Sequence, residues 1–164
     1  MDIEATIEDL EAQAYFASLG ATGIGDASKE IVQVNYSSPE NPTCYLSRPL
    51  IGKDFIAGFD TKRQDGKSVW LLIPTTALQS VQSSLGEIEL GELEAIHLLR
   101  SKLLGERIQV RLVNRAPAIS GILIKVQENL LSIQLPSLSL IHVNLTAVQN
   151  LAVEKLKIRD QHWA

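Results

Sequence analysis

Apolar and polar residues alternate along most of residues 103–151. Ile108, Val110 and Leu112 are interleaved with Gln109 and Arg111, the period of two that a half-buried strand requires. Asn114-Arg115-Ala116-Pro117 breaks the pattern with turn chemistry. The alternation resumes over 119–126 around Gly121, and a glycine inside a strand marks a bulge or a sharp bend. Gln127-Glu128-Asn129 is a hairpin connection into a strand at 130–135, and Pro136-Ser137 turns the chain into another at 138–143. A last strand at 147–153 makes five, close enough together to predict a small, strongly bent antiparallel barrel. Leu93, Ile96, Leu99 and Leu103 form a helical stripe ahead of it, stopped by Gly105.

The first half is less regular. Ile3, Ile7, Leu10, Ala14 and Ala17 lie at helical spacing, with Asp2 as N-cap and Gly20 as stop, so an acidic helix is expected over 1–20. Residues 21–28 are small and glycine-rich and are expected to be a linker. Strands are expected at 30–36, 44–46, 55–59 and 69–73. Pro49 should confine the residues after the second of these to an edge or a bend, and Asp65-Gly66 signals a hairpin between the last two.

One stretch recurs. Residues 73–81 lie seventy residues ahead of 143–151, with Thr76/Thr146, Ala77/Ala147 and Gln79/Gln149 coinciding and the apolar positions tracking one another. Two organisations are open. Either a degenerate, acidic barrel at 29–84 stands in tandem with a helix-plus-barrel unit at 87–158, or the chain is a single larger barrel-like domain. In both, the fold class is α+β and mostly β.

On Val110-Arg111-Leu112-Val113-Asn114, on Gly121, on the 126–130 hairpin and on Asn144-Leu145-Thr146-Ala147-Val148, the segment 90–153 resembles the Sm-like fold. Within it the segment is most similar to the bacterial Sm-like RNA chaperone Hfq, with 30–82 as a degenerate second copy. The resemblance implies bent barrels preceded by helices and oligomers formed by pairing edge strands. Two barrels in one chain would either satisfy each other or let three chains mimic a six-membered ring. Pro74 and Pro117 would disfavour pairing wherever a ladder N–H is needed. The family's RNA-binding features are weakened here. Leu140-Ile141-His142-Val143 replaces a basic, aromatic-containing element, Gln127 stands where an acidic residue is usual, and His142 is the one polar remnant of the uridine pocket.

Composition narrows the function. Over 164 residues, 45% are hydrophobic and 21% charged, as in soluble globular proteins. No apolar run approaches the ~20 residues that span a bilayer, and the acidic start lacks a secretory n-region. A lone Cys44 excludes an internal disulfide and a Cys-based zinc site, so a cytoplasmic location is expected. Charge is unevenly divided: residues 1–99 carry a net −9 and residues 100–164 a net +5.

Catalytic constellations are scarce. His97 has no His or Asp at i+4, Cys44 has no adjacent activating group, and the Glu87, Glu89, Glu92 and Glu94 cluster reads as a solvated helix start. No GxSxG, HExxH, P-loop or CxxC occurs. The expectation is no enzyme, no metal and no cofactor. The candidate nucleic-acid or partner-binding residues are Arg107, Arg111, Arg115 and Lys125, with His142 expected to be packed or at an interface. Arg107 and Arg111 share strand parity, but residues 103–151 contain no Phe, Tyr or Trp to stack on bases. A non-catalytic Sm-like adaptor mediating protein–protein assembly is the first expectation. An RNA-binding Sm-like protein acting in post-transcriptional regulation through its basic second half is the alternative.

Overall fold

A computed structural model describes residues 22–23, 31–36, 43–60, 69–83, 91–114 and 117–153. They form strands β1 (Thr22–Gly23), β2 (Ile31–Tyr36), β3 (Thr43–Ile51), β4 (Phe55–Asp60), β5 (Trp70–Pro74) and β6 (Leu78–Gln82) in the first half. The second half holds β7 (Arg107–Leu112), β8 (Ile119–Gln127), β9 (Leu130–Gln134), β10 (Leu140–Asn144) and β11 (Val148–Val153). Between the halves lies a short helix, α1 (Ala95–Leu98), whose last turn widens into a π-turn at Leu99–Leu103. The chain is mostly β, as the alternation predicts. The expected helix at 1–20, the Asp65-Gly66 hairpin and the tail beyond 153 lie outside the described residues.

Every strand pairing among the described residues is antiparallel, and these strands make one sheet rather than two separate ones. Its order is β10-β9-β8-β7-β11-β5-β4-β3-β2-β6, with β1 pairing β3 off that path. Residues 31–82 contribute five strands in the spatial order fourth, third, second, first, fifth, and residues 107–153 repeat that order. A 3-10 turn precedes the fifth strand in each half, at Thr75–Ala77 and at Leu145–Ala147, seventy residues apart. The halves are joined where β11 pairs β5, with Leu151 opposite Leu72 and Val153 opposite Trp70.

Burial explains why the join is stable. Two apolar clusters lie on opposite faces of the central strands. Trp70 and Leu72 of β5 enter one, while Leu71 and Ile73 enter the other. Val148, Leu151 and Val153 of β11 pack in the first, and Ala152 packs against the second. Strands buried on both faces lose the polar alternation that a one-sided strand needs, which is why β5 reads as the continuous run Trp-Leu-Leu-Ile-Pro. The α1 segment adds Ala95, Leu98, Leu99 and Leu103 to the first cluster. Its start is held by Asp54, whose Oδ1 accepts from the Ala95 N–H at 2.8 Å.

Three local departures have physical causes. Pro49 does not end its strand, because the β3–β4 register shifts between Ser47 and Leu50 and a bulge tolerates a residue without an N–H. Thr22 and Gly23, expected within a linker, pair with Ile51 and Leu50. Leu138, expected to start β10, sits at φ 70 in the turn before it. Gly121 is required by close approach, since a Cβ there would collide with the Gln134 carbonyl and the Ile133 side chain. Gly105, at φ 86, supplies the left-handed residue that ends the helical segment.

Candidate functional site

The basic residues are distributed along the sheet rather than gathered in a cleft. On β7, Arg107 and Arg111 are exposed while Ile108 and Val110 between them are buried, so the two arginines share the outer face as their parity requires. Four residues of strand separate their Cα atoms by ~13 Å. Arg107 lies opposite Ile122 of β8, and Arg111 opposite Asn150 of β11. Arg115 lies outside the described residues.

Lys125 and His142 belong to a different place. A transverse row crosses three strands there: Lys125 of β8 opposite Ser132 of β9, and Ser132 opposite His142 of β10. His142 is exposed rather than packed. Ile141 and Val143 on either side of it turn towards the core, which leaves the imidazole on the outer face. Its Nδ1 lies 2.8 Å from the Oγ of Ser132, a buried hydroxyl. That distance suits a nucleophile and its base. A catalytic pair of this kind also needs a group that orients the base, and among the described residues no carboxylate contact to the other ring nitrogen accompanies it. No group of three or more His, Cys, Asp or Glu able to hold a metal occurs among the described residues. No helix among them is long and apolar enough to cross a membrane.

What the basic residues do not provide, the sheet ends do. Among the described residues, β10 pairs only β9 and β6 pairs only β2, so each presents one unpaired edge. Exposed edges are usually blunted by Lys, Pro or inward charges. Neither Leu140-Ile141-His142-Val143-Asn144 nor Leu78-Gln79-Ser80-Val81-Gln82 contains Lys, Arg, Asp, Glu or Pro. At the start of β10 and in the turn before it stand exposed aliphatic side chains, Leu140 at 48% and Leu138 at 74% exposure. The signal was present in the sequence as two charge-free segments, but only the strand order identifies them as edges.

No protein-family model matches the chain, and no curated protein matches it.

Proposed function

We infer that the chain is a tandem of two Sm-like units, at residues 31–82 and 107–153, working as a non-catalytic adaptor that mediates protein–protein assembly through its sheet edges. The observation that carries this reading is the strand order fourth-third-second-first-fifth occurring twice, each time with a 3-10 turn before the fifth strand. The charge-free edges β6 and β10 are suited to accept strands from a protein. RNA binding through the basic half draws support from Arg107 and Arg111 on one exposed face. Among the described residues of that half there is no Phe, Tyr or Trp on which single-stranded RNA could stack.

A photocrosslinking residue placed at Gln82 or His142 should give protein adducts in cells, with few at Glu92 on the α1 side. Short U-rich and A-rich RNAs should show no salt-dependent anisotropy change with purified protein. Absence of protein adducts at both edges, together with tight RNA binding abolished by Arg107→Glu plus Arg111→Glu, would overturn the adaptor reading in favour of RNA.

A further inference from the structure

We propose that the outer face of β8–β10 is a docking surface for the chain's own acidic segment, residues 1–20, bound as an amphipathic helix. Ile3, Ile7 and Leu10 lie on the exposed aliphatics of that face, with Glu4, Glu8 and Glu11 towards its cations. The proposal does not rest on the adaptor reading. Strand addition at β10 uses backbone groups in the plane of the sheet, whereas this contact covers side chains on its face.

The face is built by strand parity. Leu123 and Val126 of β8, Leu131 and Ile133 of β9, and Ile141 and Val143 of β10 belong to or pack against the first apolar cluster. Residues between them point the other way. Ile124, Leu130 and Leu140 remain 42%, 42% and 48% exposed, a grouping of aliphatic surface that marks an interaction site rather than scattered exposure. Lys125 and His142 stand on either side of Ser132 in the middle row, and Arg107 lies opposite Ile122 at the margin. Strands β7 to β10 contain no Asp or Glu. The face is apolar and cationic, so it suits an occupant that is apolar and anionic.

Residues 1–20 have that chemistry. They hold Asp2, Glu4, Glu8, Asp9 and Glu11 and no Lys or Arg. At helical spacing Ile3, Ile7 and Leu10 form one stripe, and Glu4, Glu8 and Glu11, each one residue on, line its flank. A helix is ~10–12 Å across, against two strand spacings, ~10 Å, from β8 to β10. Ile3 to Leu10 rises ~10 Å along a helix, and Leu130 to Gln134 spans ~13 Å of β9.

The fold brings the segment within reach. Thr22, just after it, pairs with Ile51 at the end of β3. The Lys53 N–H donates to the Leu93 carbonyl at 2.7 Å, so that end of β3 adjoins the start of α1. The helical segment then runs to Gly105, whose N–H donates to the Leu123 carbonyl of β8 at 2.7 Å. Ala95 to Gly105 covers ~15 Å at helical rise, a gap that residues 11–21 can bridge. Tethering on one chain gives the segment a millimolar effective concentration at the face, which any unlinked occupant has to displace.

Photocrosslinking in the purified full chain tests the contact. A photoreactive residue at Ile124 should give adducts that map by mass spectrometry to residues 1–20. The same residue at Gln79, exposed on β6, should not. A reciprocal photoresidue at Thr6, which leaves the sheet unsubstituted, should map to residues 122–142. In a mixture of isotope-labelled and unlabelled copies, each adduct should join segments of the same chain. Arg107→Glu plus Lys125→Glu, both at exposed positions, should cut the Ile124 yield severalfold. Adding Glu4→Lys, Glu8→Lys and Glu11→Lys should restore it, because the swap rebuilds the opposite-charge contacts. A cooperative urea transition in each variant confirms that the sheet folds.

Adducts from Gln79 in place of Ile124, or none between residues 1–20 and the face from either side, would overturn the proposal. So would a yield that charge reversal leaves unchanged or that the swap fails to restore. Adducts only between different copies would assign the face to a second chain, and adducts in cells confined to other proteins or lipids would assign it to them; either overturns docking within the chain.

Discussion

Tyr36 on β2 and Asn150 on β11 are 114 residues apart in sequence, yet the Asn150 side-chain amide donates to the Tyr36 hydroxyl at 3.1 Å between two buried side chains. This contact ties the first half to the second, and Tyr36→Phe removes it while leaving the ring in place. The loss combines a net hydrogen bond with an amide left buried without that acceptor, a cost of ~2 kcal/mol. For a chain of this size that corresponds to a fall in Tm of roughly 4–8 °C. The pH dependence gives a sharper test. Burial, with Cys44 next in importance, drives the Tyr36 hydroxyl far above the usual tyrosine range, against the opposing pull of the Asn150 hydrogen bond. The native state therefore keeps its proton where the unfolded chain, ionising near ~10, gives it up. The unfolded state then binds fewer protons, so Tyr36's contribution is fully present below pH ~10 and is lost above it by ~1.4 kcal/mol per pH unit. The variant has no such proton to hold. Urea unfolding of both proteins should show an advantage for the parent of ~2 kcal/mol at neutral pH, shrinking to less than ~1 kcal/mol near pH 11. Lysines titrate equally in both and cancel. A gap that stays constant over that range would mean that the hydroxyl meets solvent and does not bind the halves together.

Gly121→Ala should cost ~2–3 kcal/mol in urea unfolding, because its Cβ has no space beside β9. Gly105→Ala meets nothing within 4 Å and should cost only ~1 kcal/mol, through its positive φ. Leu138→Gly should stabilise by ~0.5 kcal/mol, since an exposed leucine held at φ 70 gains more from relief of strain than glycine loses in chain entropy. Asp54→Ala, which removes the acceptor at the Ala95 N–H, should lower the thermal midpoint by an amount equivalent to ~1 kcal/mol. Lys53→Ala should leave it within ~0.5 kcal/mol, because the Lys53–Glu94 pair at 3.8 Å is exposed at both ends.

Much of the second half was legible because β7, β8 and β10 are buried on one face, so polarity alternates and the ends carry turn residues. The parity that placed Arg107 and Arg111 outward was legible for the same reason. Leu138 misled because apolar character says nothing of backbone sign, and the chain uses that leucine in a turn. The late start of the last strand has a cause that can be seen in sequence: the Asn144 side chain accepts from the Thr146 N–H at 2.9 Å and from its hydroxyl at 2.8 Å, an Asx-type turn that sets up the 3-10 segment. His142, expected to be packed or at an interface, is exposed, because an edge strand keeps one face polar even where three of its five residues are apolar. The β5–β11 junction was invisible, since pairing between residues some eighty apart leaves no local pattern beyond the unbroken apolar run of β5. The edges were illegible for a related reason: absence of charge acquires meaning only once the strand order shows where the sheet stops.

The most direct test of an adaptor built on those edges is photocrosslinking in cells from Gln82 on β6 and His142 on β10, with Glu92 as the control. Protein adducts at both edges and few at Glu92 are expected, because the two edge strands carry no charge and are exposed at these positions. Equal adduct yields at all three positions, or none at either edge, would contradict it.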